Sequence, residues 1–203
     1  MCGLAAGTAL AMTAQAAMAE TNVLLGTTPV VAGTLGELRP GSGWSNLPEA
    51  PVTSLTDGVF RPNETTWNDG SVWWDEFQGG PVTITFNLGA VHQLNRFVIQ
   101  ADNNDYYQLQ YLSGATWVNA FEAVAIPGYG LMTRDSGLVP AIQTSELRLI
   151  EPFPPVYPAD QYYAVSEVQA FQVPEPATWA LMLLGVTAIG AGMRMQRKAA
   201  LAA

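Results

Sequence analysis

Reactive side chains are scarce in this chain. Its 203 residues hold one cysteine, Cys2, one histidine, His92, and one lysine, Lys198. A single cysteine rules out a disulfide framework. A lone histidine with no cysteine near it rules out the His/Cys spacing of a zinc site. No glycine-rich phosphate loop is present. His92 follows the turn after Leu88-Gly89, where a histidine reads as a surface residue rather than a base. Asp75 and Glu76 are adjacent, so on a strand they point to opposite faces, whereas a glycosidase needs two facing carboxyls. The expectation is a protein that is not an enzyme.

Charge is also sparse, and it is uneven. Only 12% of residues are charged and 49% are hydrophobic, with a formal net charge of −9. Between Glu20 and Val173 there are sixteen acidic residues and five arginines but no lysine, a net of −11. Such a body cannot displace the counterions of a phosphate backbone, which excludes nucleic acid as a partner. Three basic residues, Arg194, Arg197 and Lys198, gather in the last ten positions.

Both ends are apolar. Gly3 to Met12 is apolar and small, and Ala17-Met18-Ala19 has the small-x-small form of a signal-peptide cleavage site. Residues 1–19 therefore read as an export signal that leaves Glu20 as the new terminus, although no basic residue precedes the apolar core. Cys2 would leave with that signal, so the mature fold rests on core packing or on a bound metal. The other apolar run, Ala177 to Met193, is 17 residues without a charge. As a helix at about 1.5 Å per residue it spans roughly 25 Å, slightly less than a hydrocarbon core of about 30 Å. Trp179 suits one membrane interface, and Arg194, Arg197 and Lys198 suit the cytoplasmic one. Pro174 and Pro176 mark where the helix begins.

The segment Val173-Pro174-Glu175-Pro176-Ala177, then an apolar helix, then a basic end, resembles the PEP-CTERM sorting signal of exopolysaccharide-producing Gram-negative bacteria. Met195 and Gln196 interrupt the basic end. The resemblance implies that an exosortase, a membrane cysteine protease, removes the helix near Pro174, Glu175 and Pro176. The protein then passes to the cell surface or extracellular matrix. The alternative is a permanent single-span anchor.

Between the ends, the apolar period is two. Val82, Ile84, Phe86 and Leu88 alternate with Thr83, Thr85 and Asn87 up to a turn at Gly89. Further strands are expected at 96–100, 106–112, 116–118, 145–150 and 163–171. Helical patterning is nearly absent. One all-β domain over 20–172, a β-sandwich, is the expected architecture.

"SLTDG" from Ser54, "TTW" from Thr65, "VTITFNLG", "LNRFVIQADN", "YYQLQYLSGATW" and "AVSEVQAF" resemble a discoidin-type, galactose-binding-like jelly roll, over roughly Ser54 to Phe171. Between Tyr129 and Ser145 the match is poor. The resemblance implies a structural calcium ion tying the first and last strands, with Asp57, Thr65 and Glu167 in the ligand positions. Carboxylate and hydroxyl oxygens suit a hard cation, and turn carbonyls would complete six or seven ligands. The opposing expectation is a plain Asp-Gly turn and a solvent-facing Glu167.

A sugar site combines flat aromatic faces with side chains that bond hydroxyls. The candidates are Trp67, Trp73, Trp74, Tyr106 and Tyr107, with Asn68, Asp69, Asp75, Asn103 and Asn104 beside them. In an alternating strand only one of Trp73 and Trp74 faces inward, which leaves the other for a ligand. The competing expectation is that these rings pack the core. Asp102-Asn103-Asn104-Asp105 reads as a solvated hairpin loop. Two functions remain: a surface or matrix protein that binds carbohydrate, such as the producer's exopolysaccharide, or a structural, adhesive matrix component without a small ligand.

Overall fold

The computed structural model describes residues 20–42, 47–152, 161–173 and 185. The expected signal 1–19 with Cys2, the motif residues Pro174, Glu175 and Pro176, and the basic residues Arg194, Arg197 and Lys198 lie outside the described residues. So does the expected span 177–193, apart from Gly185, which is helical. Among the described residues no helix is long and apolar enough to cross a membrane.

Among the described residues nine strands form, in chain order β1 (Thr21–Asn22), β2 (Val30–Ala32), β3 (Val72–Asp75), β4 (Thr83–Asp102), β5 (Tyr107–Ser113), β6 (Thr116–Ala123), β7 (Leu131–Asp135), β8 (Ile142–Ile150) and β9 (Tyr162–Gln172). A 3-10 turn spans Val52–Thr56, and one helical turn, α1 (Glu76–Gly79), follows β3. The all-β jelly-roll expectation holds. The sheet order is β1-β9-β4-β8-β5-β6, with β2 and β7 also on β4 and β3 also on β9. Every pairing is antiparallel.

β4 carries the fold. Two strands separated at Gly89 were expected; one 20-residue strand runs through instead. Its register against β8 breaks between Asn87 and His92, where Gly89 has a φ of 73°. Such an irregularity bends a strand and lets a sheet curl. Ile84 and Phe86 from the first half then meet Phe97 and Ile99 from the second in one apolar core, along with Leu109, Leu147, Leu149, Val165 and Val168.

A second, smaller core holds Trp67, Trp73, Leu131, Tyr162 and Ala164. β3 is squeezed between the two cores. Trp74 turns into the main one and Trp73 into the other, so they are 1% and 0% exposed. The expectation that one of them faces solvent is corrected. Alternation puts the two rings on opposite faces, and here both faces are covered.

β9 shows the same kind of effect. Its partners on β4 skip from Glu167, opposite Gln100, to Val165, opposite Ala101, leaving Ser166 as a bulge. The face of the strand therefore switches. Tyr163 and Val165 point into the main core before the bulge, and Val168 and Ala170 after it. Ser166 and Glu167 both turn away from that core, yet both are buried. The segment after the 3-10 turn crosses above them: Gly58 N–H donates to Glu167 Oε1 at 3.1 Å, and Arg61 N–H to Gln100 Oε1 at 2.7 Å.

Candidate functional site

At the end of the sandwich where β9 begins, a cleft of about 190 Å³ is lined by Trp67, Asp102, Asn103, Asn104, Tyr129, Gly130 and Tyr162. Four separate stretches meet there: the approach to β3, the β4–β5 turn, the approach to β7 and the start of β9. Trp67 packs against Trp73 and Tyr162, each with ring centroids 5.8 Å away. Its burial leaves only an edge for a ligand. Tyr129 is 54% exposed and is the accessible ring of the cleft.

The turn that presents Tyr129 is tightly held. Gly128 and Gly130 flank it with φ of 141° and 59°. A Cβ on Gly130 would lie 1.9 Å from the Thr65 carbonyl oxygen, so only glycine fits there. Asn103 Nδ2 donates to the carbonyls of Gly128 at 3.0 Å and Ile126 at 3.3 Å, and Ile126 N–H returns a bond to Asn103 O at 2.8 Å. The amide of Asn103 is thus a strut of the turn, while Asn104 is exposed.

The β4–β5 turn is fixed from beneath by Arg134. Its buried guanidinium donates to the carbonyls of Val124, Ala101, Met132, Asp102 and Asp105. Burial lowers its pKa, and the nearby Asp102 and Asp105 charges oppose that shift. Tyr107 O–H donates to Asp102 Oδ1 and accepts from Ala164 N–H at 2.9 Å. Burial, reinforced by Asp102 and Asp105, raises the Tyr107 pKa far above the usual phenol value. Asp102 and Asp105 are both buried. The expected solvated hairpin is therefore a packed connection, because Arg134 and Tyr107 give its polar groups partners inside the protein.

The other ligand candidates lie elsewhere. Asp75 is buried and bonded to Arg39: Oδ2 accepts from Arg39 N–H at 2.8 Å and Nε at 2.7 Å, and Oδ1 from Nη2 at 2.5 Å. Oδ1 also caps α1 through Phe77 N–H at 3.0 Å. Desolvation pushes the Asp75 pKa up, but these bonds outweigh it and leave the carboxyl below its ordinary value. Arg39 lies 4.4 Å above the Tyr162 ring, behind the cleft. Asp75 thus joins β3 to the segment around Arg39 and is not free for a ligand. Tyr106 is half-buried and is not among the cleft's lining residues. His92 sits at the far end of β9, its Nδ1 3.1 Å from Gln172 Oε1.

Of the three residues placed at a calcium ion, two come together. Glu167 is 0% exposed, and its Oε2 has no hydrogen-bond partner. Burial raises its pKa to about 7, and the neighbouring Asp57 carboxylate adds to that rise. Thr65 is elsewhere. It bridges to Leu131 on β7, two strands from β9, and its hydroxyl donates to Pro62 O at 2.7 Å. At a strand spacing of about 4.8 Å, that is roughly 9 Å or more from Glu167. Glu167 is not solvent-facing, because the segment from Asp57 to Arg61 covers it. Among the described residues no three His, Cys, Asp or Glu side chains converge to hold a metal. A buried, unpartnered carboxylate oxygen beside a second carboxylate fits a hard cation, provided backbone carbonyls or water supply most of the shell.

The sequence would have led to Trp67 and the two asparagines of this cleft, but not to Tyr129 and Tyr162. Tyr129 is framed by glycines in Gly128-Tyr129-Gly130; that framing was the available signal.

Residues 172–198 match the PEP-CTERM protein-sorting motif. No curated protein matches the sequence. Among solved structures, the fold is similar to the family 32 carbohydrate-binding module of Clostridium perfringens NanJ in complex with galactose. That likeness has 14% identity and a TM-score of 0.48, over 76% of this chain and 100% of that one. The family 32 module of Streptococcus pneumoniae EndoD gives 14% and 0.47, over 75% and 100%. A Clostridium perfringens module in complex with GalNAc-β-1,3-galactose gives 15% and 0.45, over 71% and 95%. The described residues form an all-β fold, and the PEP-CTERM protein-sorting motif matches from the last residue of its final strand, over 172–198.

Proposed function

We propose that this is an exported surface or matrix protein whose sandwich binds carbohydrate without catalysis, and whose tail is removed by an exosortase. Before processing, the apolar run 177–193 would hold the chain in the membrane, with Arg194, Arg197 and Lys198 on the cytoplasmic side. The cleft carries the binding half of this reading. It combines an exposed flat ring, Tyr129, with the edges of Trp67 and Tyr162 and the exposed amide of Asn104. Such a set stacks on the C–H face of a sugar and bonds its hydroxyls. Extracellular polysaccharide is the ligand class that suits a protein released outside the cell.

The geometry of β9 suits that role. Tyr162, its first residue, lines the cleft, and Gln172, its last, leads into the sorting motif. Ten steps of about 3.3 Å put these ends roughly 33 Å apart. An anchored chain would hold its cleft away from the membrane.

A structural calcium ion between Asp57 and Glu167 belongs to the proposal. It would neutralise two crowded carboxylates and tie the 3-10 turn segment to β9. Thr65 is left out of this ligand set. The burial of both Trp73 and Trp74 favours the second reading, a matrix component without a small ligand, because it leaves Tyr129 as the one open ring of the cleft. A glycan array probed with the domain 20–173, with and without calcium, separates the two. Saturable binding weakened in Tyr129→Ala supports the carbohydrate reading; no binding in either condition defeats it.

A further inference from the structure

The sandwich ends where the sorting signal begins, and the two overlap. The motif match starts at Gln172, which is still in β9. Gln172 is paired on both sides, with Thr21 of β1 and Leu94 of β4. Val173 N–H donates to Gln93 O at 2.8 Å. Pro174 follows, and proline has no N–H with which to extend a ladder. No spacer stands between the last bonded residue of the fold and the Pro-Glu-Pro motif.

The surroundings of this strand end are firmly built. Val23 N–H donates to Ala170 O at 2.9 Å, and Asn22 Oδ1 accepts from Ala170 N–H at 3.2 Å. Arg96 Nη1 meets Glu20 Oε2 at 2.5 Å, its Nη2 meets Asp135 Oδ2 at 2.6 Å, and its guanidinium lies 5.1 Å from the Phe171 ring. An enzyme that recognises an extended segment pairs with its backbone edges. At Gln172 both edges are already taken.

We infer that the folded sandwich withholds Gln172 and Val173 from the enzyme that reads the motif, so the end of β9 must open before the tail is processed. This rests on the proposal that a peptidase acts at the motif. Strand ends open locally far more readily than a domain unfolds. The rate of processing then scales with the fraction of chains in which the end is open. Contacts of β1 and β4 with β9, far from the motif in sequence, thereby set the rate of release.

The test uses the full chain, pulse-labelled in a host that carries an exosortase. One variant places six Gly/Ser residues between Val173 and Pro174. A second, Asn22→Ala, loosens β1 without touching the motif. Both are expected to be processed several-fold faster than the parent, and Asn22→Ala is expected to add nothing once the spacer is present. Glu175→Ala is the control for motif reading. If Glu175→Ala blocks processing while the spacer variant matches or lags the parent, the inference is overturned. If Glu175→Ala is processed at the parental rate, the processing proposal itself falls, and this inference with it.

Discussion

Trp73 and Trp74 are consecutive residues whose rings lie in different cores. Trp74 stacks on Tyr163 at 5.5 Å and 21°, while Trp73 meets Trp67 edge-on at 5.8 Å and 80°. Each ring is closed off from solvent. Replacing either by alanine leaves a large cavity, and such changes cost about 3–5 kcal/mol. Urea unfolding of the domain is expected to show losses of that size for both Trp73→Ala and Trp74→Ala. A loss below about 1 kcal/mol at one position would mean that its ring is exposed.

This pair marks where sequence reading stops. The alternation from Val82 to Leu88 has its apolar side in one core, so period two located that part of β4 directly. The two sides of β3 are filled by Tyr163 and Tyr107 on one and by Trp67, Leu131 and Tyr162 on the other. All but Trp67 lie 33 to 89 residues further along the chain, and a local pattern does not announce them. Glu167 was legible as a residue type, but its burial depends on the Ser166 bulge and the overlying 57–61 segment. Tyr129 lies in a stretch where the resemblance to the jelly-roll pattern is poor, and its position depends on Asn103 and Gly130.

Asp75 and Arg39 form the tightest described link between β3 and the segment before it. Removing one partner of a buried ion pair leaves the other charge uncompensated, at about 3–5 kcal/mol. Arg39 keeps partial contact with solvent, so Arg39→Met is expected at the lower end of that range. Asp75→Asn should cost less than Asp75→Ala, because the amide oxygen still caps α1. Neither change should abolish glycan binding if the fold survives, which an array with the purified variants checks. Loss of binding in a folded Asp75→Asn protein would restore Asp75 as a ligand residue.

Tyr129 is expected to carry ligand affinity without carrying the fold. Its ring is mostly exposed, so truncation removes little buried area. An aromatic contact is worth about 0.5–1.5 kcal/mol beyond area burial, which predicts a weakening of roughly 2-fold to 13-fold in Tyr129→Ala, with an unchanged melting temperature. Gly130→Ala is expected to do the reverse first. Its Cβ would collide with the Thr65 carbonyl, lowering stability and displacing Tyr129 together. Titration calorimetry against the best glycan from the array, with thermal melts alongside, distinguishes the two.

Three carboxyls, Glu49, Glu151 and Glu167, are each raised to about 7, chiefly by burial. In the unfolded chain they titrate near 4.5. Between those values the folded state holds more protons, so stability falls as pH rises from about 4.5 to about 7, and levels off above. Asp75 and Asp135 act oppositely. Arg39 bonds overcome desolvation at Asp75, and Arg96 bonds lead at Asp135, so both are lowered and their contribution is lost only as the solution becomes more acid than pH 3.8. Melts in chelator at pH 4.5, 6 and 8 are expected to show the highest transition at pH 4.5. A transition that climbs steadily toward pH 8 would contradict the burial of these groups.

Calcium should change the sign at one of the three. A divalent cation between Asp57 and Glu167 favours the ionised form that burial disfavours, so ion affinity should rise with pH across the same window in which the metal-free domain weakens. At pH 7.5, millimolar calcium is expected to raise the melting temperature by several degrees over the chelated protein, through preferential binding to the folded state. Glu167→Gln keeps an oxygen for Gly58 N–H to bond but removes the charge. That variant should melt above the parent in chelator at this pH, because no buried carboxylate is left to ionise, and it should not respond to calcium. If the parent melts identically with calcium and with chelator, no cation is bound there. Glu167 then stands as a buried carboxyl without a metal, held under Gly58.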